Sequence, residues 1–338
     1  MSAFDDQRIS GKRAWRGLDN PYVFLLPALF VFGMFALYPI VRSLYLSFFD
    51  YEFLRPEQMH WVGVGNYAEI FRDDRVVGWP GIVLPEPPLS FWEIAFYPLL
   101  VLCLTVNAPG GAFWNTIRFA VMYVPASILI PLFVAVLVER AGRLSTLFRT
   151  LNFIPIVVSV AVVSIIWMWI YHPEYGVFNT LLREVAGSEA GYTWLSDRKL
   201  AMPAIAGMAV WHGMGLNMLL YLVGLQRIPS EVMEAARVDG ATGWKVLTSV
   251  TLPLLKPTMF LVGLLSAINA FKVFGQMFIM TQGGPGDSTL SMVLYLYNVA
   301  FQYGRFRFGY ASALAWGLAF FIFVVTLIAF RLTRERQR

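Results

Sequence analysis

Six apolar runs, each about 20 residues long, constrain this chain more than any other feature of its sequence. A helix of that length crosses the hydrocarbon core of a membrane, so each run is a candidate span. The runs predict spans at Tyr22–Leu46, Asn115–Val138, Leu151–Tyr171, Met202–Gln226, Pro257–Met280 and Tyr310–Phe330. We therefore expect an all-α membrane protein, with residues 1–21 before the first span, one transmembrane domain over 22–330 and a short basic tail over 331–338.

The composition agrees with a membrane protein and excludes several other classes. Hydrophobic residues make up 58% of the 338 residues and charged residues only 14%, whereas soluble domains carry about 25% charged residues. The net charge of +5 is spread over short segments between the runs, so a nucleic-acid partner is not expected. Cys103 is the only cysteine, which excludes an internal disulfide. The three histidines have no spacing typical of metal ligands, so no metal site is predicted.

The basic residues predict how the chain is oriented. With the N-terminus in the cytoplasm, six spans place nearly twice as many Lys and Arg residues in the short inner segments as in the longer outer ones. This is the positive-inside pattern, so both termini are expected on the cytoplasmic side of the inner membrane. About 20 mostly polar residues precede the first run, which argues against a cleaved signal peptide. The first outer loop, Phe49–Trp114, is long.

A seventh apolar stretch, Phe91–Val106, lies within this first outer loop. It is short for a span, and it contains Glu93 and Pro98. A crossing at this point would move three of the four basic inner segments outside. We interpret the stretch as an interfacial or re-entrant helix, with a true span as the alternative.

The local structure of the segment between the fourth and fifth predicted spans, 227–256, can be predicted from its residues. Ser230 suits a helix start because its hydroxyl can cap free backbone N–H groups. Gly240 suits a left-handed stop, where a residue with a side chain would be disfavoured. A second short helix is expected from about Thr242 to Pro253. The segment therefore predicts two short helices around a glycine, outside the membrane on the cytoplasmic side.

The same segment carries a motif of a known family. Glu234-Ala235-Ala236, Gly240 after three residues, and Val250-Thr251-Leu252-Pro253 after nine more resemble the EAA loop of permease subunits in binding-protein-dependent ABC importers. Four further motifs are similar to that family, and to its sugar-type members for maltose and glycerol phosphate: Val62–Tyr67, Trp114–Thr116, Thr281–Pro285 and Gly309–Ala313. The stretch 75–111 departs from the shorter members, and the role of the first outer loop stays open.

The resemblance implies a bundle of six transmembrane helices with a cytoplasmic coupling helix. It implies that the chain is not an enzyme and binds no cofactor, and that ATP and Mg are used by two separate ATP-binding subunits. Accordingly, the sequence contains no phosphate-binding loop. Other implied partners are a second permease chain, an extracytoplasmic solute-binding protein, a sugar-like solute and membrane lipid, with a homodimer as the alternative to a heteromeric pair. The residues implied for coupling are Glu231, Glu234, Ala235, Ala236, Asp239, Gly240 and Pro253.

Polar residues within spans are costly, and many are functional. Ser266, Asn269 and Lys272 follow at i, i+3 and i+6, so they share a broad helix face. The family resemblance also implies solute contacts on the fourth and fifth spans. The candidate solute-binding residues are Gly213, Leu216, Asn217, Ser266, Asn269, Lys272 and Val273. Hydrogen bonding between helices is the alternative role of the Asn and Ser residues, and Lys272 either reaches the membrane surface or pairs with a carboxylate of a partner.

Two other classes of protein are less compatible with the sequence. An ion-coupled secondary transporter needs acidic residues within its spans, and the predicted spans offer almost none. A membrane-bound enzyme acting on lipid-linked substrates needs clustered acidic or histidine residues near the interface, and no such cluster is evident. His212 as a proton relay lacks an acidic neighbour. The aromatic residues Trp167, Trp169, Tyr171 and Trp211 are expected to pack or to lie at the interface rather than stack on sugar rings.

Overall fold

The structure is a computed structural model that describes residues 21–78, 110–187 and 191–335, and most of these residues are helical. The helices are α1 (Pro21–Phe32), α2 (Tyr38–Leu46), α3 (Gly65–Ile70), α4 (Asp74–Val77), α5 (Ala112–Arg140), α6 (Ser145–Val157), α7 (Val160–Ile170), α8 (Val177–Ala186), α9 (Ala201–Gln226), α10 (Ser230–Val238), α11 (Trp244–Val246), α12 (Leu252–Phe271), α13 (Gly275–Met280), α14 (Met292–Phe301) and α15 (Phe308–Glu335). Two short strands, β1 (Phe49–Asp50) and β2 (His60–Trp61), pair antiparallel.

The described residues contain enough long apolar helix for the expected bundle. Five helical stretches are long and apolar enough to cross a membrane: Leu25–Leu46, Ala112–Glu139, Ala201–Gln226, Trp244–Phe271 and Phe308–Leu332. The bent pair α6 and α7 makes a sixth crossing if it counts as one span. The seventh stretch, Phe91–Val106, lies outside the described residues. A six-span bundle therefore fits both the sequence and the structure.

The third crossing differs from the single straight helix expected over Leu151–Tyr171. It begins earlier, at Ser145, and bends by 103° between α6 and α7. At the bend Val158 has extended backbone, with ψ of 136°. Ser159 then caps α7, because its hydroxyl accepts a hydrogen bond from the Val162 N–H group. The capping serine after a proline-containing turn was the available signal, but periodicity alone did not predict the bend.

The fifth crossing also differs, because the expected span Pro257–Met280 is shifted and broken. One helical rod runs from Trp244 through a π-helical turn at Leu247–Thr251 to the end of α12 at Phe271. The wider turn lies just before Pro253, whose ring cannot donate a backbone hydrogen bond. The second short helix expected to end at Pro253 is therefore the beginning of the span itself. The chain leaves the helix at Lys272 and resumes as α13.

Helix α9 lies at the centre of the bundle and packs against α5, α6 and α12. Of the five long apolar helical stretches, it has the largest fraction of buried residues, 44% in its most apolar part. Small residues allow this close packing, since a Cβ on Gly215 would lie 2.2 Å from the backbone oxygen of Asn152. On Gly224 it would meet the side chain of Thr258 at 2.7 Å. The two shorter helices beyond the breaks, α7 and α13, pack against each other.

A polar clamp ties the segment 65–77 to the last two helices. Asp73 accepts hydrogen bonds from the hydroxyls of Tyr295 and Tyr310. Arg307 donates two parallel hydrogen bonds to Glu69, at 2.6 and 2.8 Å. These bonds to Glu69 raise the pKa of the Arg307 guanidinium, which keeps the guanidinium charged. The clamp fixes the start of the long first loop against α14 and α15.

Candidate functional site

Helix α10 stands out from the bundle between two long spans. It covers the nine residues Ser230–Val238, and its side chains are mostly exposed. Gly240 has a φ of +77°, and the N–H group of Ala241 bonds to the carbonyl of Ala236 at 2.9 Å. This is the Schellman pattern of a helix end, which the sequence predicted at Gly240. No atom lies within 4 Å of a Cβ placed on Gly240, so backbone conformation alone selects glycine.

The surface of α10 combines apolar and acidic groups. Val238 is 87% exposed, and Trp244, just beyond the helix, is 74% exposed. Glu231, Glu234 and Asp239 are also exposed, and within the described part of the chain their side chains form no hydrogen bond or ion pair. Ala235 is exposed and Ala236 is half-buried, while Pro253 is exposed at the start of α12. Exposed valine and tryptophan beside unpaired carboxylates are typical of a docking surface.

The polar pair Asn217 and Ser266 lies inside the bundle rather than on a pathway surface. Asn217 on α9 donates to the carbonyl of Ser127 on α5 at 3.0 Å and to the hydroxyl of Ser266 on α12 at 3.4 Å. Both residues are buried. Their hydrogen bonds link three spans, which is the interhelical role considered as the alternative to solute binding.

Asn269 and Lys272 have the opposite environment. From Pro257 onwards, the exposed residues of α12 and its end follow one stripe, Pro257, Leu261, Leu265, Asn269 and Lys272. The first three are apolar and the last two polar, so the polar groups lie together at one end of the stripe. Lys272 is exposed at the C-terminal end of α12, where a cation complements the helix dipole.

The other three candidates shape the surface or the interior. Leu216 is 43% exposed on α9. Val273 is buried at the break after α12, and Gly213 is half-buried with a Cβ position 3.2 Å from the Tyr123 hydroxyl. The structure thus divides the sequence-predicted residues into an exposed set, Leu216, Asn269 and Lys272, and an inner set, Gly213, Asn217, Ser266 and Val273.

Sequence reasoning missed the groups that support the two breaks. The Nε2 atom of His212 lies 3.1 Å from the carbonyl oxygen of Val158, which can only accept, so the ring donates there. The hydroxyl of Ser291 donates to the carbonyl of Val273 at 2.8 Å. Each bond satisfies a carbonyl released by a break. His212 therefore has a structural partner, and this hydrogen bond does not support the proton-relay interpretation.

The entry of α5 is tied to the loop before α14. Asn115 donates to the carbonyls of Asp287 and Leu290, at 2.7 and 3.1 Å. The Thr116 hydroxyl accepts a hydrogen bond from the Met292 N–H group at 2.9 Å. Asn115 and Thr116 belong to the motif Trp114–Thr116, which carried no assigned role, and the structure shows that they join segments about 175 residues apart.

The aromatic residues near the third crossing form a packed cluster. The ring of Trp167 lies 5.2 Å from that of Tyr171 and 5.5 Å from that of Trp211. The Tyr171 hydroxyl donates to the carbonyl of Ala204 at 2.9 Å. Trp169 is 64% exposed. These contacts agree with packing and interfacial roles.

Comparison with known proteins gives one consistent family. Residues 107–335 match the family described as "Binding-protein-dependent transport system inner membrane component". The lactose transport system permease protein LacF of Rhizobium radiobacter is 31% identical, over 94% of this chain and 95% of its own length. A probable ABC transporter permease of Pyrococcus horikoshii is 30% identical, over 92% and 95% respectively. The arabinooligosaccharides transport system permease protein AraP of Bacillus subtilis is 29% identical, over 94% and 91%.

Solved structures share the fold. A chain of a bacterial ABC transporter involved in the import of the acidic polysaccharide alginate aligns with a TM-score of 0.71 and 20% identity. The alignment covers 97% of this chain and 98% of that chain. A second structure, of a bacterial alginate ABC transporter in complex with an alginate pentasaccharide-bound periplasmic protein, gives a TM-score of 0.70 at 19% identity, over 97% and 96%. At this identity the likeness concerns the fold.

Proposed function

Since the chain belongs to the family of binding-protein-dependent transport system inner membrane components, we propose that it imports a sugar or a related polar solute and couples to a separate ATPase through α10. It is a multi-pass membrane transport subunit and not an enzyme. Support for a sugar comes from relatives named for lactose and arabinooligosaccharides and from the fold shared with an alginate importer. Neither an ion-coupled transporter nor a lipid-acting enzyme is favoured by these comparisons.

The observation that carries the proposal is the short link from α10 to one unbroken helical rod that ends at two of the solute candidates. The rod that starts at Trp244, four residues after Gly240, runs for 28 residues to Phe271, a length of about 42 Å at 1.5 Å per residue. Asn269 and Lys272 lie at its far end. A partner that moves α10 would therefore displace the end of the rod that carries the polar groups, because a helix transmits displacement along its axis.

In the proposed assembly, α10 docks into a separate ATP-binding subunit. Its exposed valine and its unpaired carboxylates supply the contact surface, through Glu231, Glu234, Ala235, Ala236 and Asp239, with Gly240 and Pro253 setting the path of the chain into the span. ATP and Mg are used by two such subunits, and this chain supplies no covalent chemistry. Helix α10 and both termini then lie in the cytoplasm, as the basic residues predict.

In the proposed pathway, the exposed set makes the solute contacts and the inner set holds the helices. Sugar hydroxyls that leave water need replacement hydrogen bonds, which Asn269 and Lys272 can supply. Leu216 offers an apolar surface for the face of a sugar ring. Asn217 and Ser266 fix α9 against α12, while Gly213 and Val273 shape the wall. A second permease chain would complete the pathway, and an extracytoplasmic binding protein would deliver the solute to loops that include the segment Tyr295–Tyr310.

The test compares two glycines in vesicles that contain the complete importer. Gly240→Val places a β-branched residue at a φ of +77°, which costs about 1–2 kcal/mol and displaces α10. Gly142→Val is the matched control, since Gly142 also has a positive φ of +55° and open space around its Cβ position. We expect ATP-driven uptake of labelled oligosaccharide to be lost in the first variant and largely kept in the second, with both proteins present in the membrane.

Two results would contradict the proposal. Normal uptake by Gly240→Val would separate α10 from energy coupling. Solute accumulation without any ATP-binding subunit, driven by an ion gradient alone, would assign the protein to secondary transport.

A further inference from the structure

We propose that the groove between α8 and the beginning of α9 binds one acyl chain of an anionic membrane phospholipid. The groove has a volume of about 520 Å³ and lies between the end of the third crossing and the start of the fourth. Phe178, Leu181 and Val185 of α8 form one wall, and Leu200 and Pro203 form the other. This volume is within the range of ligand sites, about 300–1,000 Å³.

The surface of the groove is apolar because the polar atoms of its wall residues are already hydrogen-bonded to other parts of the protein. Trp194 and Tyr171 line it, but the Trp194 Nε1–H group donates to Asn179 at 2.9 Å and the Tyr171 hydroxyl donates to the carbonyl of Ala204. A sugar or another polar solute would find no hydrogen-bond partner on these walls, whereas a hydrocarbon chain requires none.

A buried asparagine holds the groove in shape without any ligand. Asn179 is fully buried, donates to the carbonyls of Pro173 and Tyr192 at 3.0 and 2.8 Å, and accepts from the Tyr192 N–H group at 3.1 Å. These bonds fix α8 against the loop before α9. The groove is therefore formed in advance, and an occupant does not have to order it.

The surroundings place the groove at the level of lipid headgroups. It lies where two spans leave the membrane, beside the aromatic residues of the third crossing, and aromatic side chains are enriched at the membrane–water interface. Leu181 and Val185 are 51% and 88% exposed, so the outer wall is open towards its surroundings. Lys199 directly precedes Leu200, is exposed, and forms no ion pair within the described ranges. A lysine next in sequence to a wall residue can bring its ammonium group to the phosphate of a lipid whose acyl chain lies in the groove.

The test counts lipids that stay bound to the purified importer complex in mild detergent, by native mass spectrometry with phosphatidylglycerol or phosphatidylcholine added. Leu181→Asn makes the groove polar. Val177→Asn is the matched control, because Val177 lies on the same helix with similar exposure, 55%, but outside the groove. We expect Leu181→Asn to weaken retention of one phosphatidylglycerol about tenfold and Val177→Asn to bind as the wild type does.

The headgroup is tested with Lys199→Gln, and Arg305→Gln on a different exposed loop is its control. We expect Lys199→Gln to lower the retention of phosphatidylglycerol to the level of phosphatidylcholine, with no change for Arg305→Gln.

Equal lipid retention by the wild type, Leu181→Asn and Val177→Asn would overturn the proposal. Equal loss of lipid in both asparagine variants would also overturn it, because that result indicates a helix lying on the lipid surface. Loss of a second permease chain from Leu181→Asn, with its lipid count unchanged, would show that protein covers the groove.

Discussion

Asn217 and Asn269 lie on neighbouring spans, but they differ in burial and in hydrogen bonding. The amide of Asn217 is buried and bonded to two other helices. The amide of Asn269 is exposed, and its side chain has no hydrogen bond to another described residue. A buried amide stabilises the bundle, whereas the exposed amide at the end of the rod is the one that our proposal assigns to solute contact.

This difference predicts separable effects for two alanine variants. Asn269→Ala should lower the rate of solute uptake about fivefold, the equivalent of one hydrogen bond, without changing assembly. Asn217→Ala should instead lower the stability of the complex by about 0.6–1.7 kcal/mol, the range for interhelical bonds in membranes. The measurements are uptake kinetics and thermal unfolding of the purified complex. Leu265→Ala, one turn before Asn269 on the same exposed stripe, is the control and should leave uptake unchanged.

An unaltered uptake rate in Asn269→Ala would remove this residue from the pathway. A loss of uptake in Leu265→Ala as large as that in Asn269→Ala would show that shape along the stripe, rather than the amide, matters.

At the level of residues, the sequence predicted backbone features better than contacts. The left-handed stop at Gly240 followed from one glycine after a short amphipathic stretch, because the requirement is local. The roles of Ser266, Asn217 and His212 could not be separated, because burial depends on which face of a span meets its neighbours. All three are polar residues in apolar helices, and only the packed bundle distinguishes them.

At the level of elements, the main departures from expectation are the two broken crossings. Each break needs a donor from elsewhere in the chain, His212 for Val158 and Ser291 for Val273, which are 54 and 18 residues away. Such pairs have no signature in hydropathy, which averages over a window and therefore predicted unbroken runs. The long helices themselves were predictable because the thickness of the membrane fixes their length.

The clamp around Asp73 allows an element-scale prediction. Asp73→Ala removes the acceptor of two tyrosine hydroxyls and the cap of α4, so only the Arg307–Glu69 pair of the clamp would still hold the segment 65–77. We expect a loss of about 1.5–3 kcal/mol in stability, typical of hydrogen bonds to a charged group. Asp74→Ala is the matched control, since Asp74 is adjacent and exposed, and its carboxylate has no partner in the described segments.

Thermal unfolding of the purified complex, read by intrinsic fluorescence, measures both variants. Equal melting temperatures for the two would show that the clamp does not stabilise the loop. A large loss in Asp74→Ala would show that helix α4 tolerates no change of charge at its start.

At the level of the whole molecule, the described bundle is open on one side. None of the residues in the most apolar part of the first span is buried. Helix α2 packs against α15, whereas α1 presents exposed residues such as Leu29 and Phe30. A surface of this kind needs lipid or another helix beside it. The exposed first span therefore agrees with the proposal that a second permease chain completes the complex.

Orientation in the membrane is the whole-molecule property on which the coupling proposal depends. The positive-inside pattern predicts that α10 lies in the cytoplasm and that the loop between α7 and α9 lies outside. Two exposed serines report on these two faces, Ser230 at the start of α10 and Ser196 in that loop. In a Cys103→Ser background, a membrane-impermeant maleimide added to intact cells should label the Ser196→Cys variant and leave Ser230→Cys unmodified. Inside-out vesicles should give the reverse. Labelling of Ser230→Cys from outside would place α10 on the face without ATP, where no nucleotide-driven subunit could move it.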